Sequence, residues 1–155
     1  MAINVQDLRI DSADFAPGGH MDPKFCAQGG NTMPRLRISG VPANAVELAV
    51  ICHDPDAPLA QGFTHLTLYG IPPTVSEIGP DNVGEFRSGP NGTGRSGYLG
   101  PMPPAGHGLH HYYFWVYALS EDPELEPGLT RRDLLNRIED SVIEQARLVG
   151  TYKNE

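Results

Sequence analysis

Apolar and polar residues alternate over positions 46–52, so that Val46, Leu48, Val50 and Cys52 share one face, the two-residue period of a strand. Positions 63–69 repeat the pattern, with Leu66 and Leu68 opposite His65, Thr67 and Tyr69. The densest β signal runs over 110–119, where aromatic and β-branched side chains dominate. Neighbours in a strand point to opposite faces. His110 therefore falls with Tyr112 and Phe114, and His111 with Tyr113, Trp115 and Tyr117. Shorter strands are predicted over 34–39 and 5–10.

A helical period is found over 131–149, where Leu134, Leu135, Ile138, Val142, Ala146 and Val149 recur at steps of three and four. Thr130 caps this helix with Asp133 at its third position, and Gly150 stops it. A shorter helix is predicted over 75–78, after Pro72 and Pro73. There is no βαβ rhythm and no internal repeat. The pattern predicts a mainly β protein, one domain over residues 1–155, with a helix near the C-terminus.

Composition changes this picture in the loops. The chain has 18 glycines and 15 prolines, about a fifth of its 155 residues, against a usual share of roughly 12%. The excess concentrates between positions 79 and 108. A stretch that long is expected to form a site or to be disordered, and Phe86, Tyr98, Leu99 and Met102 give this one side chains to pack with. An ordered, site-forming loop is predicted. The formal charge of −8 opposes phosphate backbones and anionic lipid surfaces, which argues against a nucleic-acid binder. No stretch approaches the roughly 20 apolar residues of a membrane span. The first ten residues carry Asp7 and Arg9 and no secretion-signal run, so a cytoplasmic protein is expected. Cys26 and Cys52 are read as buried thiols.

Four features could carry chemistry. Asp54 and Asp56 flank Pro55, with Pro58 following, on a loop stiffened by proline, where the plainer role is an Asx turn. His65 lies inside a strand, where most histidines are satisfied packing residues. His110 and His111 face opposite ways, so only one can reach a given site. Positions 97–106 hold three prolines, which leaves Gly100, Met102, Ala105 and Gly106 as backbone donors for an anion.

In this order, the segments resemble the phosphatidylethanolamine-binding protein family, in its bacterial and archaeal Raf-kinase-inhibitor-like branch. Asp54-Pro55-Asp56-Ala57-Pro58 matches its first signature. Gly97-Tyr98-x-Gly100-Pro101-x-Pro103-Pro104, with Gly108-Leu109-His110-x-Tyr112, matches its second. Gly30-Asn31, Asn91 and Gly150-Thr151-Tyr152 echo it elsewhere. The resemblance implies a β-sandwich with Greek-key features and a C-terminal helix. It implies a pocket for phosphate-like oxyanions or a phospholipid head group, lined by Asp54, Asp56, Ala57, Pro58, His65, Pro103, Pro104, His110 and Tyr112. Gly100 and Met102 join the expected site as loop donors. Kinase or protease modulation, and pairing with a second copy, are further implications. The chain departs from the family at Met102, where bacterial relatives carry Cys. It departs again at Phe63, Thr64 and Leu66, where a Trp is usual beside the histidine, and at His111, where a basic residue is frequent.

The expected chemistry is binding without catalysis, cofactor or metal. The anion meets His65, His110, the Tyr112 hydroxyl and a loop amide, while Asp54 and Asp56 hold imidazoles in their charged form. The rival readings are a hydrolase or a metal enzyme built on the same Asp/His pocket. Against the first, Ser88 and Ser96 sit in no nucleophile elbow. Against the second, His110 and His111 cannot converge on one ion.

Overall fold

The computed structural model describes residues 7–154. Among these, eight strands form two sheets. The larger has five strands: β3 (Glu47–Asp54) at its centre, β4 (Phe63–Ile71) and β6 (Arg87–Ser88) to one side, β7 (Leu109–Leu119) and β8 (Val142–Lys153) to the other. The smaller joins β1 (Arg9–Ser12), β2 (Leu36–Ser39) and β5 (Glu77–Ile78). Every pairing between these strands is antiparallel. One helix, α1 (Arg131–Ile138), follows β7.

The two sheets pack face to face. Leu36, Ile38 and Ile78 of the smaller meet Leu48, Val50, Leu66, Leu68 and Phe114 of the larger in one apolar cluster. The reverse face of the large sheet, through Ala49, Ile51 and Tyr69, packs on Leu125, Leu129, Leu134 and Ile138. All eight residues of β3 are therefore buried, which is why this segment reads as a nearly unbroken apolar run. Val46, expected on its inner face, lies before the strand and is 47% exposed.

The C-terminal region corrects the expectation. Thr130 Oγ1 does accept from the Asp133 amide at 3.1 Å, so the helix starts as predicted. It ends at Ile138, and the Ser141 amide closes a turn on the Ile138 carbonyl. Residues 142–153 then form the long strand β8, which pairs with the whole of β7. Val142, Leu148 and Gly150 share the buried face at the two-residue period of a strand, while Val142 and Ala146, four apart, fit either period. What decides is that a helix would leave β7's edge unpaired, whereas the strand satisfies the backbone groups along it. Positions 75–78 hold a turn and the short β5 instead of a helix, with the Val75 amide bonded to the Pro72 carbonyl. The strand expected over 5–10 begins at Arg9, and its first two positions lie outside the described residues.

Candidate functional site

The site is made by an irregularity. Cys52 pairs with Leu66 but His53 pairs with Thr64, so β4 carries one surplus residue, His65, against β3. A bulge of this kind re-aims the extra side chain. Regular alternation would send His65 away from Leu66. Instead its ring meets Phe63 at 4.9 Å and Tyr112 at 5.2 Å, on the face of Asp54 and His110. The proline-rich loop repairs the broken ladder: the Leu99 amide donates to the His65 carbonyl at 2.9 Å. The His65 ring returns a bond from Nδ1 to the Leu99 carbonyl at 2.5 Å, which fixes the proton on that nitrogen. Burial pushes the His65 pKa down, against the Leu99 carbonyl and Asp54, so the ring is neutral.

Asp54 is 3% exposed and divides its carboxylate. Oδ1 accepts the Asp56 amide at 2.7 Å, the Asx turn of the plainer reading. Oδ2 accepts His110 Nδ1–H at 2.6 Å. The far nitrogen of His110, Nε2, lies 2.6 Å from Nδ1 of His107, a separation that requires one proton between the two rings. His107 was missed by sequence reasoning. Its signal was its place between Gly106 and Gly108, which both take positive φ and bend the loop back over β7. The hydroxyl of Tyr112, a side chain 1% exposed, has no hydrogen-bond partner. Burial, with Asp54 adding to it, pushes the Tyr112 phenol well up, so it stays a neutral donor.

These groups line a hollow of about 230 Å³, bounded by Asp54, Ala57, Pro58, Leu59, Phe63, His65, Met102, Pro103, Pro104, His110 and Tyr112. Two expected residues stand outside it. Asp56 turns to the surface, where its Oδ2 accepts from both the amide and the ring of His111, at 2.8 and 2.7 Å. The slight burial of Asp56 works to raise its carboxyl, but the His111 bonds outweigh it and hold the group low. Gly100 does not offer its amide to the hollow, because Asn31 Oδ1 takes it at 2.7 Å. The Gly106 amide is likewise bound to the Asn154 carbonyl. Leu59 and Phe63 were not expected in the lining; Phe63 is brought there by its pairing with Asp54, and Leu59 by the loop that joins β3 to β4.

His53, next to Asp54, faces the other side of the sheet, where Nδ1 meets Thr64 Oγ1 at 3.2 Å. Burial, then the charge of Arg131, lowers its pKa to about 4. His53 and His65 are thus neutral in the fold, while an unfolded imidazole titrates near 6.5. As pH falls below that value the unfolded chain gains protons that the fold refuses, so stability is lost between about pH 6.5 and 4. The His53 contribution is about 3 kcal/mol at the lower limit. Glu47, raised by burial, works the opposite way over the acid end of this window. Urea midpoints from pH 7 to 4.5 should fall steeply for the native protein and less steeply for His53→Gln. Parallel curves would assign the loss elsewhere.

A family model described as phosphatidylethanolamine-binding protein matches residues 11–153. A UPF0098 protein of Pyrococcus abyssi is 41% identical, over 93% of this chain and 84% of its own. A Mycobacterium tuberculosis protein that carries the name lipoprotein LppC is 40% identical, over 96% of this chain and 73% of its own. The crystal structure of a phosphatidylethanolamine-binding protein homologue from Chlamydia trachomatis superposes with a TM-score of 0.89 at 32% identity, covering 96% of this chain and 99% of that one. Among the described residues no helix is long and apolar enough to cross a membrane.

Proposed function

The chain belongs to the phosphatidylethanolamine-binding protein family, and on that footing we propose that it is a single-domain, non-catalytic protein that binds a small oxyanion, free or on a phosphorylated ligand, in the hollow beside Asp54 and His110. The observation that carries this reading is the unpartnered Tyr112 hydroxyl, a buried neutral donor on a residue that lines the same space as two imidazoles. An incoming oxygen takes a bond from Tyr112 and displaces the His107 nitrogen from His110 Nε2. That nitrogen must then carry a proton, and Asp54 on the opposite side of the ring stabilises the charge. Anion and proton therefore bind together.

Two features favour binding over catalysis. Ser88 Oγ is tied to the Gly89 carbonyl and the Gly97 amide, away from any base. Burial pushes the thiols of Cys26 and Cys52 up, so neither is a ready thiolate. A metal reading is disfavoured because both ring nitrogens of His110 are already engaged. A cytoplasmic location belongs to the same proposal and rests on both cysteines being free. For a kinase, a protease or a second copy, the stacked Tyr113, Trp115 and Tyr117 offer a half-exposed surface.

Calorimetry with inorganic phosphate, in buffers of differing ionisation enthalpy, tests the reading. Uptake approaching one proton per anion is expected, with affinity falling up to about tenfold per pH unit above neutrality. Tyr112→Phe should weaken binding about ten- to a hundredfold, the worth of a hydrogen bond to a charged group. Phosphate binding with no proton uptake, or with full affinity in Tyr112→Phe, would remove the basis for the proposal.

A further inference from the structure

A larger hollow, of about 540 Å³, opens on the other face of the sheet, between the first turn of α1 and the loop over residues 90–94. Its polar lining includes Arg131 and Arg132 with His53, Gln61, Thr64 and Asn91, and no carboxylate lines it. In a chain of formal charge −8 that is an unusual place to find two guanidiniums. Arg35, Arg37, Arg87 and Arg137 each pair with a carboxylate, and Arg147 lies over Tyr113 and Trp115. Among the described residues, Arg131 and Arg132 have neither kind of partner. They also occupy the first two positions of α1, where the helix dipole disfavours cations. Arg131 is half-buried there, and that burial lowers its pKa against the opposing pull of the nearby Tyr117 hydroxyl. A cation held in a partly desolvated position, at the wrong end of a helix and with no carboxylate beside it, is poised for an anion that comes from outside.

The rest of the hollow suits an organic body. Phe63 and Leu59 give one apolar wall, and the loop opposite is bare at Gly92 and Gly94. At Gly92 a Cβ would stand 2.3 Å from the Phe63 ring, so the loop has to lack a side chain for that ring to fit. The volume falls within the roughly 300–1,000 Å³ of small-molecule sites, well above what inorganic phosphate alone needs. We propose that this hollow is a second ligand site, which takes a small organic phosphate with its oxyanion on Arg131 and Arg132 and its body against Phe63. The site is distinct from the His110 hollow in the charged and polar side chains that line it. The two touch only at Leu59 and Phe63, which line both.

Amide chemical shifts of the full-length protein, titrated with adenosine 5′-monophosphate, adenosine and inorganic phosphate, test this. The nucleotide should move the amides of Gly92, Gly94 and residues 131–133 along a saturable curve, and adenosine should not. In Arg131→Gln/Arg132→Gln that affinity should fall about tenfold or more, the loss of two charge-assisted contacts. Phosphate shifts around His65 and His110 should persist in the same variant. Its melting temperature should equal or exceed the native value, because two cations leave the positive end of a helix. Arg132→Gln alone, at an exposed position, gives a weaker version of the same loss if the double variant folds poorly. No groove shift at millimolar nucleotide, shifts confined to the His110 hollow, or an unchanged curve in the variants would each overturn the proposal. Saturable groove shifts with a phosphoserine peptide but not the nucleotide would assign the site to a protein partner and reject the small molecule. Loss of phosphate shifts at His110 with groove binding intact would count against the first site alone.

Discussion

Asp54→Ala is expected to abolish measurable phosphate binding and to destabilise the fold by about 3 kcal/mol, the loss of two buried hydrogen bonds to a carboxylate. Both oxygens of this carboxylate are engaged, one capping the turn at Asp56 and the other holding His110 at 2.6 Å. Without it the His110 ring loses its fixed orientation and its charge loses the only carboxylate in the lining of the hollow. Asp54→Asn separates the two roles. The amide oxygen keeps the turn, so most of the stability should return, while proton uptake on phosphate binding should not. Urea unfolding and calorimetry on the two variants give both readings. Native phosphate affinity in Asp54→Ala would show that His110 does not need its carboxylate, and the charge-coupled account would fail.

Gly100→Ala should be more damaging to the fold, and for a reason unrelated to anions. A Cβ there would lie 1.9 Å from the Phe25 carbonyl oxygen and 2.9 Å from the Cys26 backbone. The obstacle is main chain rather than a movable side chain. The loop must therefore shift, and it carries Leu99, which holds the bulged His65 through two bonds. The cost is expected to exceed about 3 kcal/mol, beyond ordinary overpacking. Circular dichroism melts should show a large fall in transition temperature or no cooperative transition. A native-like melt with lost phosphate binding would instead return Gly100 to the role of a donor, against the bond its amide makes to Asn31.

Much of the architecture was legible because the strands that build the large sheet carry their own period. Residues 63–69 and 110–119 became strands, as did 46–52 apart from Val46, and the division of His110 from His111 held, one toward Asp54 and the other toward Asp56. The C-terminal segment was misread because Val142 and Ala146, four residues apart, fit a helix as well as a strand, and Val149 then extends the helical spacing. The choice depends on β7, about 30 residues away in sequence, which no local pattern reports. The site divides along the same line. Residues fixed by the alternation of β7, His110 and Tyr112, were found on its face. Asp56 was misplaced because two carboxylates two residues apart on a proline-stiffened loop do not reveal which neighbour each will meet. His107 was overlooked because a histidine between glycines carries no period at all.

The kink in β4 has an evolutionary corollary. Since it comes from one surplus residue at His65, the loss of a single codon there would let the strand zip back into plain register with β3, and the imidazole would leave the cavity while the sheet survived. Point substitutions have to erode the lining residue by residue. A one-residue indel would remove it in one step, so descendants that have lost this lining should be sought by length between the two signatures rather than by the letters within them.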